Sequence, residues 1–194
     1  MRRRTLSAAV LAAALLMLSC DDLFPDAGFE PTGTPFTLAP GIDLVAATGD
    51  PRLHDLGPVT LAITLTSNTG RTETDDLPAG LFFRPGGRVQ NVILLKEQPV
   101  IAGTTATKTL LGSFCCNFQH LTPNDEDTLE LGPVTDNPDL RQIIDIVEDR
   151  DISGPSDMAM VQNAVYMVTD SGGLNQAYID SLGDLPPDAT AGAR

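Results

Sequence analysis

The sequence predicts an α+β fold, an antiparallel β-sandwich over residues 41–118 followed by a small helical unit over 119–185 packed on it. Three observations predict this. Val59, Leu61, Ile63 and Leu65 alternate with Thr60, Ala62, Thr64 and Thr66, the period-two pattern of a strand with one buried face. Short apolar runs separated by Gly, Pro and Asn clusters recur from Ile42 to Phe118, as in a sandwich of short strands. After Asn117 the apolar spacing changes to the helical one.

The strand candidates are Ile42–Thr48, Val59–Thr66, Gly80–Phe83, Val89–Leu95, Pro99–Ile101 and Thr104–Phe118, with Ser67-Asn68-Thr69-Gly70 as a turn. Asn137 is a cap residue, Pro138 suits a first helical position, and Leu140, Ile143, Ile144 and Val147 fall on one face of the helix they open. A second helix is expected from near Ser156. Its body, Met158–Thr169, is apolar almost all round, which predicts burial on most sides. Ser171-Gly172-Gly173 ends it, and a third helix is expected over Asn175–Leu182. The segment 186–194 is small and polar and is expected to fray. With no tryptophan and few aromatic residues, the core falls to Val, Ile, Leu and Ala. Leu-Gly-Pro-Val-Thr occurs at 56–60 and at 131–135, but the flanks differ, so no repeat is inferred.

The N-terminus says where the protein works. Arg2, Arg3 and Arg4 precede an apolar stretch from Leu6 to Leu18, and Ser19 precedes Cys20. This is the layout of a secretory signal over 1–19, and it is too short for the roughly 20 apolar residues of a membrane span. With a cysteine at the cleavage point, the segment resembles the bacterial lipoprotein signal. That resemblance implies lipidation of Cys20, secretion by the general pathway, and a cell-envelope location held by the lipid. Residues 20–40 contain Pro25, Pro31, Pro35, Pro40, Gly28 and Gly33, a composition that predicts an extended tether. Asp21 and Asp22 resemble a retention signal in some bacterial groups and a surface-export signal in others, so the membrane leaflet stays open.

Charge narrows the partners. The full chain carries a net −14, with 12 Lys and Arg against 26 Asp and Glu; removing the three signal arginines takes the mature chain to −17. That acidity excludes nucleic acid, whose phosphates need a basic surface, and excludes polybasic attachment to anionic lipid. The membrane is reached through the lipid; a protein or cell-surface partner is compatible with the rest.

Candidate chemistry is sparse. His54 and His120 are isolated and fit no zinc spacing. Asn124-Asp125-Glu126-Asp127 lacks the glycine and spaced ligands of a calcium loop and reads as a solvated turn. Asp170-Ser171-Gly172-Gly173 is similar to the nucleophile loop of trypsin-like proteases, but Thr169 replaces a glycine and the histidine motif is absent; a helix C-cap explains it better. No cofactor, metal or catalytic set is expected, and an enzyme is the least favoured class. Cys115 and Cys116 are adjacent, leaving two buried thiols, a vicinal disulfide or one reactive thiol as the outcomes. Strand parity puts Phe114, Cys116 and Phe118 on one face and Cys115 on the other. Gln162 shares a helix face with Met158, Val161 and Val165, so its amide needs hydrogen-bond partners, and a strand backbone would supply them.

Two resemblances attach to these motifs. The Thr-rich strand, the Asn-Thr-Gly turn and Leu77-Pro78-Ala79-Gly80 before an apolar strand resemble immunoglobulin-like modules of bacterial surface proteins. Phe114-Cys115-Cys116-Asn117 with Val161-Gln162-Asn163-Ala164-Val165-Tyr166 and Thr169-Asp170 resembles the thioester domains of Gram-positive surface adhesins. The second resemblance implies Cys115, or Cys116, as a thiol and Gln162 as acyl donor of an internal thioester that acylates an amine or hydroxyl on a partner surface. The principal expectation is a non-enzymatic, envelope-anchored binding or structural module, with the covalent adhesin as the alternative.

Overall fold

The computed structural model describes residues 29–189. The signal over 1–19, Cys20 with 21–28 of the tether, and 190–194 lie outside the described residues.

The fold is α+β. Nine strands form in chain order: β1 (Gly33–Pro35), β2 (Ile42–Asp50), β3 (Val59–Ser67), β4 (Glu73–Leu77), β5 (Leu81–Pro85), β6 (Val92–Ile93), β7 (Gln98–Ala102), β8 (Thr107–Cys115) and β9 (Leu129–Thr135). Among the described residues three helices follow: α1 (Pro138–Val147), α2 (Pro155–Ser171) and α3 (Gln176–Gly183). Seven strands make one antiparallel sheet in the order β1-β9-β5-β6-β8-β3-β2, and β4 pairs with β7 as a separate two-stranded ribbon. The large sheet curls on itself. Thr48 on its β2 edge bridges Thr128, just before β9, and Gly49 N–H donates to Asn124 O at 2.9 Å.

The centre of the sheet is buried on both faces, and strand parity sorts its residues between two cores. Leu81, Phe83, Val92, Leu94, Leu111 and Cys115 point into the curl, where β3 contributes Leu61, Ile63 and Leu65 and the ribbon adds Leu77, Val100 and Ala102. Phe82, Ile93, Leu95, Phe114 and Cys116 point the other way, against Leu140, Ile143, Ile144 and Val147 of α1 and Val161, Ala164, Val165 and Val168 of α2. Sandwich interior and helical unit therefore share the same strands.

The helix starts follow the sequence signals. Asn137 Oδ1 accepts from Asp139 N (3.0 Å) and Leu140 N (3.1 Å), with Pro138 behind it. Gly172 closes α2 in the left-handed region at φ 85°, a conformation that costs glycine little.

Several expectations need correction. The sheet does not stop at 118: β9 lies between β1 and β5, inside the span expected to be helical. Gly132-Pro133 disguised it. Leu81 pairs with Val134 and Phe83 with Leu131, so the dipeptide forms a bulge, a place where a proline without an N–H is tolerated. Residues 29–40 of the expected tether are docked. Gly33 stands against β9 so closely that a Cβ there would lie 1.9 Å from Val134 O, and Ala39 N–H donates to Asp75 Oδ2 at 2.8 Å. The ribbon strand β4 was hidden by its acids: Glu-Thr-Asp-Asp-Leu alternates in exposure, with only Leu77 fully buried. The expected strand at Val89–Leu95 shrinks to Val92–Ile93, and Thr104–Phe118 to β8. Helix α2 buries one stripe rather than most sides; Met158, Met160 and Met167 are half-buried and Ala159 is exposed. The tail is anchored at its start, where Asp188 N–H donates to Asp149 O (2.8 Å) and Lys96 Nζ donates to Arg150 O (2.6 Å) and pairs with Asp188 (3.3 Å).

Candidate functional site

The two motifs separated by most of the helical unit meet in space. Gln162, Tyr166 and Asp170 lie four residues apart on α2 and form one stripe. Each reaches the segment Cys115–Phe118, where β8 ends.

Gln162 makes a two-bond clamp. Cys115 N–H donates to its Oε1 at 2.9 Å, and its Nε2 donates to Cys115 O at 2.8 Å. The cause lies in strand lengths. β3 begins at Val59, opposite Ser113, so no strand residue of β3 stands opposite Cys115. The next peptide faces the other way, with Cys116 N–H donating to Asn91 O at 2.8 Å. The glutamine amide replaces the missing strand with a peptide-like donor and acceptor.

A second glutamine does the same on the other flank of β8. Gly112 N–H donates to Gln98 Oε1 at 2.9 Å, and Gln98 Nε2 donates to Gly112 O at 2.7 Å. Gln98 is 3% exposed. The sequence reading missed this residue; its signal was a polar side chain at a buried parity position of β7, alternating with exposed Pro99 and Ile101.

The cysteines are two thiols on opposite faces. Cys115 packs in the curl and Cys116 among the helices. Burial pushes the Cys115 thiol up to about 11, opposed by hydrogen bonds with Tyr166 and Thr122. Burial, with the Cys115 and Asp170 charges adding to it, pushes Cys116 well above its usual value. At neutral pH both are protonated and poor nucleophiles. The unfolded thiol value of 9.0 lies below the folded one. The stability this gives is therefore complete below about pH 9 and is lost as pH rises toward about 11. A Cys115→Ala, Cys116→Ala variant should show a shallower alkaline decline in denaturation midpoint than the parent. Identical declines would contradict the burial of these thiols.

The remaining motif residues fix the surroundings. Asn117, at a left-handed φ of 69°, turns the chain out of β8, so Phe118 leaves the face expected from parity and is 66% exposed. Phe118 N–H donates to Asp170 Oδ1 at 2.9 Å, and its ring meets Tyr166 edge-on at 5.1 Å. Tyr166 O–H donates to Gln90 Oε1 at 3.2 Å, while Gln90 Nε2 donates to His120 O at 2.8 Å. Burial, followed by the neighbouring Cys115, raises the Tyr166 phenol.

Beside Gln162 an apolar cleft of about 510 Å³ opens between the loop at Leu53–Pro58 and the first half of α2, lined by Leu53, Pro58, Pro155, Met158 and Ala159 with His54 and Asn163 at its polar edge. Elsewhere, His54 Nδ1 accepts from Leu56 N at 3.1 Å within its own loop. Asn124–Asp127 is a turn closed by Asn124 N to Asp127 Oδ2 and Glu126 N to Asn124 Oδ1, both 2.8 Å. Among the described residues no three His, Cys, Asp or Glu side chains group as metal ligands, and no helix is long and apolar enough to cross a membrane. Comparison with known protein families, curated proteins and solved structures finds no match for this chain.

Proposed function

We propose that the protein is an envelope lipoprotein held at Cys20, whose folded part is a non-enzymatic binding or structural module. The observation that carries the non-enzymatic part of this reading is the pair of glutamine clamps; the anchor rests on the apolar stretch Leu6–Leu18 before Cys20. Gln98 holds Gly112 in the same two-bond geometry in which Gln162 holds Cys115, and glycine offers no side chain to react with. The arrangement that looks like chemistry at Gln162 is thus a device for completing a ladder. The apolar cleft beside it supports a binding role, since concave apolar surface with a few polar groups is where small ligands are held.

If both glutamines are clamps, Gln98→Ala and Gln162→Ala should each lower the unfolding free energy by about 1–3 kcal/mol, the range for leaving buried polar partners unpaired. Denaturant melts measure this. A Gln162→Ala variant as stable as the parent, beside a destabilised Gln98→Ala, would set Gln162 apart and contradict the shared role.

A second reading stays open because Gln162 and Cys115 are in contact. In it the Cys115 sulfur attacks the Gln162 amide carbon, the C–N bond breaks, the thiol proton leaves with the nitrogen as ammonia, and a thioester remains as an electrophile for a partner's amine or hydroxyl. The buried, protonated thiol and the engaged amide favour the clamp.

A further inference from the structure

The N-terminal segment meets the folded part beside the end of β8. Phe29 O accepts from Asn91 Nδ2 (3.3 Å) and from Asn117 Nδ2 (3.2 Å), and the Phe29 ring packs on Phe82 at 5.8 Å. Cys20 precedes Phe29 by nine positions, a length of chain that spans at most about 30 Å. Immediately after Asn117 comes Phe118, 66% exposed, and Leu121 in the same loop is 71% exposed. Both are held in place. Phe118 is fixed by Asp170 and Tyr166; Leu121 N–H donates to Arg88 O (3.0 Å), and its carbonyl accepts from Gln90 N (2.8 Å). Two large apolar side chains are therefore presented outward, on a pinned loop, where the chain that leads to the lipid departs.

We propose that this loop is a membrane-docking surface, with Phe118 and Leu121 seated among the headgroups of a neutral, zwitterionic bilayer. The inference rests on the reading of Cys20 as the anchor. Two side chains would not hold a free protein on a membrane. A short tether, however, keeps the loop at millimolar effective concentration near the surface, where weak interfacial affinity suffices. Phe and Leu are among the apolar side chains that interfacial segments bury at the boundary between headgroups and acyl chains. Charge selects the lipid: exposed Asp125 and Glu126 continue the same loop and the mature chain is strongly acidic, which opposes an anionic surface, and of the cations on the neighbouring turn Arg84 is paired with Glu30 at 3.7 Å.

The chain has no tryptophan, so one introduced residue reports alone. The mature chain beginning at Cys20 is coupled through that cysteine to a maleimide lipid and placed in phosphatidylcholine vesicles with brominated acyl chains; Cys115 and Cys116 are buried. Phe118→Trp and Leu121→Trp should shift to the blue and lose about half their emission to a quencher lying just below the headgroups. Val45→Trp, at a 55% exposed site on β2 far along the sheet from the β8 end, should be unaffected. Having both loop variants guards against one failing to fold, which a thermal melt reveals. Equal emission of all three with and without bromine, or stronger quenching of Val45→Trp, would overturn the docking surface. Because the lipid is attached chemically, that failure is separate from failure of the anchor reading, which fatty-acid labelling of the natural chain at Cys20 decides.

Discussion

Phe114→Ala is expected to lower the unfolding free energy by about 3–5 kcal/mol, the cost of truncating a fully buried phenylalanine. Phe114 is 0% exposed on β8, one of the strands that serve both cores, and it points at the helices. Removing its ring opens a cavity where β8 meets α1 and α2 and loosens the platform on which the Gln162 clamp rests. Neighbouring Phe118 provides the contrast. It is mostly exposed, and its contact with Tyr166 is one edge-on ring pair, so Phe118→Ala should cost only about 0.5–1.5 kcal/mol. Denaturant midpoints of the two variants should differ widely. Similar values would mean that the β8 face is not buried as described.

Cys20→Ala should abolish fatty-acid incorporation and move the protein from the membrane fraction to the soluble one. The change is large because the other membrane contact proposed is only two side chains, and because the acidic mature chain is repelled by anionic lipid. Undiminished labelling, or full membrane retention in the variant, would contradict the anchor.

Elements with an unmixed pattern were legible from the residues. Helix α1 announces itself by Asn137, Pro138 and an unbroken apolar stripe, and β3 by its alternating large apolar residues, although its first half, Val59–Ile63, is buried on both faces and not on the one expected. Elements whose local chemistry conflicts with their role were not. β9 contains Gly-Pro, β4 is mostly acidic, and β1 lies in a proline-rich stretch; each forms because a neighbouring strand offers a ladder, which is tertiary information. The site divides in the same way. Gln162 was legible because a glutamine on an apolar face must find partners, and a strand backbone was the expected one. Gln98 was not: it falls just outside the strand expected over Pro99–Ile101, so its alternation with Pro99 and Ile101 goes unread, and its partner Gly112 is set by tertiary packing. The meeting of Asn117 with Phe29 likewise depends on where the chain's start docks.

The central claim, that Gln162 is a clamp and not an acyl donor, is tested most directly by the intact mass of the freshly folded mature chain, made soluble by Cys20→Ala and incubated with methylamine. With Gln162 as a clamp the mass equals that of the sequence and no adduct forms, and replacing Gln162 or Cys115 by alanine leaves this behaviour unchanged. A mass short by one ammonia before methylamine is added, and a methylamine adduct afterwards that is lost in both Cys115→Ala and Gln162→Ala, would contradict it and establish the thioester.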